Sequence, residues 1–118
     1  MSTSSWILGA IAIVVALLII KHLLGGGKMP ANTVLEKIKS GAKIVDVRSP
    51  EEFQDGAYPG AINIPLPELS QRMGEIPKDK PVVLYCLSGA RSASAARTLK
   101  KAGYTDVTNA GGLGDMPR

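Results

Sequence analysis

One cysteine and one histidine are all that this 118-residue sequence offers of the two most reactive side-chain types. A single thiol excludes an intramolecular disulfide, so the chain cannot staple a small core as many secreted domains do. His22 is the only imidazole and lies at the end of an apolar stretch, and the carboxylates with one cysteine make no ligand pattern. No metal site and no cofactor is therefore expected. Aromatic residues amount to 4%, and the basic residues form no run. That removes the stacking platforms and the charged stripe that nucleic-acid binding uses. Of the formal net charge of +4, Lys21 and Lys28 supply two units, leaving 12 basic against 10 acidic residues from Met29 onward. The balance excludes nucleic acid as a partner.

Charge is missing altogether from residues 2–20, which from Trp6 onward are almost purely apolar. Taken as one helix, residues 4–24 rise roughly 30 Å, about the thickness of a bilayer's hydrocarbon. Lys21 can snorkel to the headgroups, Trp6 suits the opposite interface, and His22 is an interfacial side chain. Apolar residues surround the helix instead of forming a stripe, so a surface-lying amphipathic helix does not fit. A cleaved signal peptide does not fit either, because no Lys or Arg precedes the run and no small-x-small site follows it. Both nearby cations, Lys21 and Lys28, follow the span, which places the remainder of the chain in the cytoplasm. The expected organisation is a single-pass membrane anchor over residues 1–24, a glycine-rich linker over 25–29 and a domain over 30–118.

Within that domain, periods alternate. Thr33 and Glu36 are spaced as a capping box opening a short helix whose inner face is Val34, Leu35 and Ile38, with Gly41 ending it. Residues 44–47 (IVDV) predict a strand, and Ser49 with Glu52 predicts a second capping box with Pro50 at the first helical position. Turn signals at 55–56 and 59–60 precede a short strand at 61–64. Leu66, Leu69, Met73 and Ile76 recur at helical spacing. Residues 82–85 (VVLY) show no polar alternation and predict a strand buried on both faces. A helix over 92–101 and a strand over 106–109 complete the chain. Strands alternating with helices indicate an α/β fold, an open and mostly parallel sheet with helices on both faces.

In such sheets ligands bind beyond the carboxyl ends of the strands. Cys86 stands there, directly after the most apolar strand and before a helix. The loop that follows, Leu87, Ser88, Gly89, Ala90, Arg91 and Ser92, can curl so that successive N–H groups point inward as an anion-binding nest. Gly89 can supply the positive φ of that curl, and the next helix adds its positive end. With the Arg91 cation nearby, these influences favour a thiolate over a thiol, below the ordinary pKa of about 8.5. A buried, inert cysteine is the alternative, and the setting favours reactivity. Arg91 is expected to bind ligand, to pair with Asp46, or both. Arg48 is expected to pair with Glu51 or Glu52 in a supporting role.

Four stretches together resemble the rhodanese domain: residues 46–53 (DVRSPEEF), 56–65 (GAYPGAINIP), 85–92 (YCLSGARS) and 110–112 (AGG). The resemblance covers the chain from about Pro30 onward. It implies a sulfurtransferase whose cysteine, here Cys86, takes a sulfane sulfur as a persulfide, with backbone amides of the loop cradling the outer sulfur. It implies a small sulfur-containing donor such as thiosulfate, and cyanide, a thiol or a partner protein as acceptor. Ala57 stands where the family usually has histidine, and Met116 stands near the place of a common aromatic; the family's first strand is not evident ahead of Thr33. Cysteine phosphatases of related fold use Cys-x5-Arg, whereas residues 86–91 here give Cys-x4-Arg, a smaller cradle suited to sulfur. A membrane-tethered binding or sulfur-relay module is the remaining alternative.

Overall fold

A computed structural model describes residues 3–24 and 27–118, and within the first helix the side chains of 5–20. Helix α1 spans Thr3–Leu24 and is followed, after residues 25–26, by α2 (Ala31–Lys39), β1 (Lys43–Asp46), α3 (Pro50–Gln54) and β2 (Ile62–Asn63). Then come α4 (Leu69–Arg72), β3 (Val82–Cys86), α5 (Ala90–Lys101) and β4 (Val107–Gly112). The four strands form one sheet in the order β2-β1-β3-β4, every pairing parallel. That is the open parallel architecture expected from the alternating pattern, with helices packed on both faces.

Alternation along β3 explains how one strand serves two cores. Val82, Leu84 and Cys86 point into a cluster with Ala95, Ala96 and Leu99 of α5 and Leu69 of α4. Val83 and Tyr85 point the other way, against Val34 of α2, Ala110 and Met116. All five residues of β3 are buried, as its unbroken apolar sequence requires. Each large side chain so buried contributes about 1.5–3 kcal/mol, and a change such as Leu84→Ala costs about 2–5 kcal/mol. Small residues on α5, Ala95 and Ala96, let the helix approach the sheet closely, which places its first turn beside the end of β3.

Several local expectations differ from the structure. Helix α2 begins at Ala31 because Pro30, with φ near −59°, occupies the N-cap position and its carbonyl takes the Val34 N–H at 3.1 Å. Thr33 is thus inside the first turn and forms no capping box. The second box is present: Ser49 Oγ accepts from the Glu52 N–H and the Glu52 carboxylate accepts from the Ser49 N–H. Residues 66–76 are not one helix; α4 has a single turn flanked by 3-10 turns at Leu66–Glu68 and Met73–Glu75. Pro67 cannot donate a helical N–H and Gly74 weakens the following turn. Leu69 and Ile76 are nevertheless buried, as their spacing suggested. Among the described residues no strand precedes α2; the Met29 N–H makes one bond to the Asn109 carbonyl at 2.9 Å instead.

The membrane span expected over residues 4–24 is not met among the described residues. No helix there is long and apolar enough to cross a membrane. The side chains of Ser4, Lys21 and His22, and residues 25–26 of the linker, lie outside the described residues.

Candidate active site

Cys86 closes β3 opposite Gly112 of β4, and the pairing between these strands is irregular just there. From Leu84 to Cys86 is two steps on β3, yet their partners Asn109 and Gly112 are three apart on β4. This bulge brings the end of β4 against the loop that leaves Cys86. A methyl group on Gly112 would collide with the Leu87 carbonyl, so only glycine permits the approach. Gly89 turns the chain with φ +105° and becomes the residue before α5. Helix α5 starts at Ala90, two residues ahead of the expected Ser92, so Ala90, Arg91 and Ser92 form its first turn.

The curl directs donors at the sulfur. The Gly89 N–H lies 2.9 Å from Cys86 Sγ, and Ser92 Oγ lies 3.4 Å from it. Burial alone pushes the Cys86 thiol pKa up, since the residue is 1% exposed. The Ser92 hydroxyl and the N–H groups of Ser92, Gly89 and Ser88 outweigh that penalty and hold the thiol below its usual value. Leu87 and Ser88 form the exposed lip above the sulfur. Ala90, also exposed, touches the site only through its place in the helix start.

Charged groups are distributed differently from the expectation. Arg91 does not pair with Asp46; it makes a two-pronged ion pair with Glu52, at 2.7 and 3.0 Å. Arg48 does not pair with Glu51 or Glu52; it closes back on Asp46, with Nη2 at 2.7 Å and Nε at 3.0 Å. Two residues along an extended strand end bring Arg48 onto Asp46 directly, and the Arg48 backbone N–H joins at 2.9 Å. Asp46 is therefore filled before Arg91 could reach it. Arg48 also donates to the Gly56 carbonyl at 2.7 Å and lies 5.5 Å from the centre of the Tyr85 ring. Burial raises Tyr85, whose hydroxyl accepts the Tyr58 N–H, to a pKa of about 12, so it stays neutral beside the site. The Arg91 guanidinium, and after it the capping bond to Ser49, holds the Glu52 carboxyl at about 2.

One buried contact had no counterpart in the sequence reading. Asn109 Oδ1 sits 2.7 Å from Ser92 Oγ and accepts the Gly111 N–H at 2.9 Å. The residue lies in the strand read at 106–109, but nothing in the pattern joins it to a serine 17 positions earlier.

A family model for the rhodanese-like domain matches residues 30–113, most of the chain. The chain belongs to the rhodanese-like family. It is 53% identical over 68 residues to an uncharacterized Bacillus subtilis protein, YqhL, covering 58% of this chain and 54% of YqhL. It is 46% identical over 74 residues to the Escherichia coli thiosulfate sulfurtransferase PspE, covering 61% of this chain and 71% of PspE. The chain thus spans only about half the length of YqhL. Among solved structures, an E. coli rhodanese with anions superposes with a TM-score of 0.61 at 43% identity, covering 65% of this chain and 95% of that one. Sulfurtransferases are thus among its relatives. Where the family commonly has an aromatic near the end, Met116 is buried in the second core with Val34 and Tyr85. Ala57, at the place of the usual histidine, is half-buried.

Proposed function

We propose that this protein is a sulfurtransferase that carries sulfane sulfur on Cys86. The observation that supports it most is the convergence of the Gly89 N–H and the Ser92 hydroxyl on Sγ, with the Ser88 and Ser92 amides beside them. Those donors stabilise an anionic sulfur without any general base, which suits a chain whose only histidine, His22, lies outside the domain. With thiosulfate as donor, the Cys86 thiolate attacks the sulfane sulfur, a new S–S bond forms, and the bond to the sulfite sulfur breaks. Sulfite departs with that electron pair. Cyanide, a thiol or an acceptor protein then attacks the outer sulfur; the S–S bond to Cys86 breaks and the thiolate returns. With cyanide the product is thiocyanate, and no net proton changes hands. Leu87, Ser88, Gly89, Ala90, Arg91 and Ser92 contribute the cradle, and Asp46 with Arg48 supports it from the neighbouring strand end.

The test is direct. Incubated with thiosulfate, the protein gains the mass of one sulfur atom, loses it on addition of cyanide, and turns over to thiocyanate; Cys86→Ser abolishes all three. Turnover of aryl phosphates without sulfur transfer would mean that the short Cys86–Arg91 loop had been misread as a sulfur cradle. Stable binding of a partner without any mass gain would leave a docking module.

We further propose that α1 holds the protein to a membrane, with the domain facing the cytoplasm. Its support is the exposure of the helix's large apolar residues on every side, Trp6 at 76% and Leu8 at 68% among them, and Lys28 behind them. Retention in the membrane fraction through carbonate washing is expected, and release by carbonate would overturn it. A thiol reagent excluded from cells should leave Cys86 unlabelled in intact cells; labelling would reverse the orientation.

A further inference from the structure

The Ser92 hydroxyl has one proton and is ringed by acceptors: Asn109 Oδ1 at 2.7 Å, the Gly89 carbonyl at 3.1 Å, the Gly111 carbonyl at 3.3 Å and Cys86 Sγ at 3.4 Å. Two of the four are poor competitors. The Gly89 carbonyl already receives the Ala93 N–H at 3.0 Å and the Asn109 side-chain amide at 3.4 Å. The Gly111 carbonyl is longer than the Asn109 contact by more than half an ångström. The contest lies between Asn109 Oδ1 and the sulfur. Asn109 is 4% exposed, and its amide is oriented because Oδ1 takes the Gly111 N–H while Nδ2 faces the Gly89 carbonyl. A neutral thiol is a weak acceptor and a thiolate a strong one, so the better partner changes with the charge on sulfur.

Resting on the sulfur-transfer reading, we propose that Asn109 is a positioning residue: its side-chain carbonyl holds the Ser92 proton while Cys86 is neutral and yields it to Sγ when the sulfur becomes anionic. The hydroxyl rotates about its Cβ–Oγ bond; no heavy atom moves, and no covalent bond forms or breaks. Asn109 thereby stabilises the neutral state that it must release, and it tunes the thiol against its loop donors.

The sign of the effect separates this role from scaffolding. Removing a merely structural asparagine loosens the loop, withdraws donors and raises the alkylation inflection of Cys86. Removing a rival for the Ser92 proton lowers it. The experiment is the pH dependence of iodoacetamide alkylation of the single thiol in the detergent-solubilised full chain, as a double-mutant cycle over Ser92→Ala and Asn109→Ala. Ser92→Ala should raise the inflection. Asn109→Ala should lower it, with alkylation about threefold faster or more below the wild-type inflection, and should have no effect in the Ser92→Ala background. A rise with Asn109→Ala, or a shift that persists without the hydroxyl, overturns the proposal. If that variant does not fold, Asn109→Asp decides in its place. It keeps the shape and is a stronger acceptor, so the inflection should rise by more when Ser92 is present than when it is absent; equal rises overturn the proposal. Thiocyanate formation by the wild type is followed in parallel, because its absence defeats the sulfur-transfer reading and leaves the Ser92–Asn109 coupling measurable.

Discussion

The Asp46–Arg48 and Glu52–Arg91 pairs occupy the same end of the sheet, one sealed beneath the loops and the other half in solvent. The side chains of Asp46 and Arg48 are 0% and 4% exposed, those of Glu52 and Arg91 29% and 37%. The first pair spans two residues and is completed by the Arg48 backbone N–H and the Gly56 carbonyl, so it ties β1 to the loop before β2. The second spans 39 residues and joins α3 to the first turn of α5, just outside the cysteine loop. The inner pair belongs to the frame and the outer pair to the site. Exposure decides this, because a buried charge needs its partner to fold while a half-exposed one can exchange its partner for water or for an anionic substrate.

Breaking the inner pair should produce the largest change. Asp46→Ala leaves the Arg48 guanidinium buried and uncompensated, and the expected loss is about 3–5 kcal/mol in equilibrium unfolding by urea. Replacing both by apolar residues of similar volume should recover much of it. If Asp46→Ala unfolds at nearly the wild-type urea midpoint, the inner pair is not part of the frame and the comparison fails.

A smaller effect is expected from Glu52→Gln. Glutamine at this position still completes the capping box with Ser49, so α3 keeps its start and only the ion pair is lost. Stability at neutral pH should change much less than in the first variant. The acid limb should change more clearly. Glu52 has a folded pKa of about 2, below the unfolded value of about 4.3. Its contribution is therefore fully present above the unfolded pKa and is lost as pH falls through the folded one. Melting temperature followed from pH 6 down to pH 2 should thus fall less steeply in Glu52→Gln. The freed Arg91 should also lower KM for thiosulfate. An unchanged acid limb would show that the pair contributes nothing to folding.

How far the sequence speaks for each region follows from chain distance. The cysteine site is consecutive: strand end, the short loop at residues 87–89 and the helix start at Ala90 are one stretch, so its position and the need for glycine at 89 can be read directly. The α3 cap and the alternation of strands with helices are local in the same sense. Partner choice is not. Asp46 with Arg91 and Arg48 with Glu51 or Glu52 were chemically reasonable pairings, but Arg48 folds back on Asp46 two residues away and leaves Arg91 to Glu52. Asn109 reaches Ser92 across the packing of α5 on β4, 17 positions along the chain, and the bulge that follows it, which sets Gly112 opposite Cys86, is announced by no residue pattern. Helix α2 begins earlier than its apparent capping box for a local reason that a propensity count overlooks, the carbonyl of Pro30.

Arg91→Ala should have the smallest effect on the thiol and a visible one on substrate, and the split between them tests which groups activate Cys86. The sulfur's donors are the Ser92 hydroxyl and backbone N–H groups, whereas the Arg91 guanidinium is engaged by both oxygens of Glu52. Glu52 is also the main cause of the raised Arg91 pKa, with the charge on Cys86 behind it. Truncation should therefore leave the alkylation inflection of Cys86 close to wild type, still below the free-cysteine value of about 8.5. Thiolate, present above the folded inflection, should keep alkylation rapid there and lose it only as pH falls through that value. An exposed cation near the lip still attracts a dianion, so KM for thiosulfate should rise about three- to tenfold while kcat falls less, the mark of lost ground-state binding. Steady-state thiocyanate formation at two ionic strengths measures this, because the KM difference between wild type and variant should shrink in high salt. If Arg91→Ala instead moves the inflection up to the free-cysteine value, the arginine is the activating charge, and the outer pair acts on the nucleophile itself and not on the approach of its substrate.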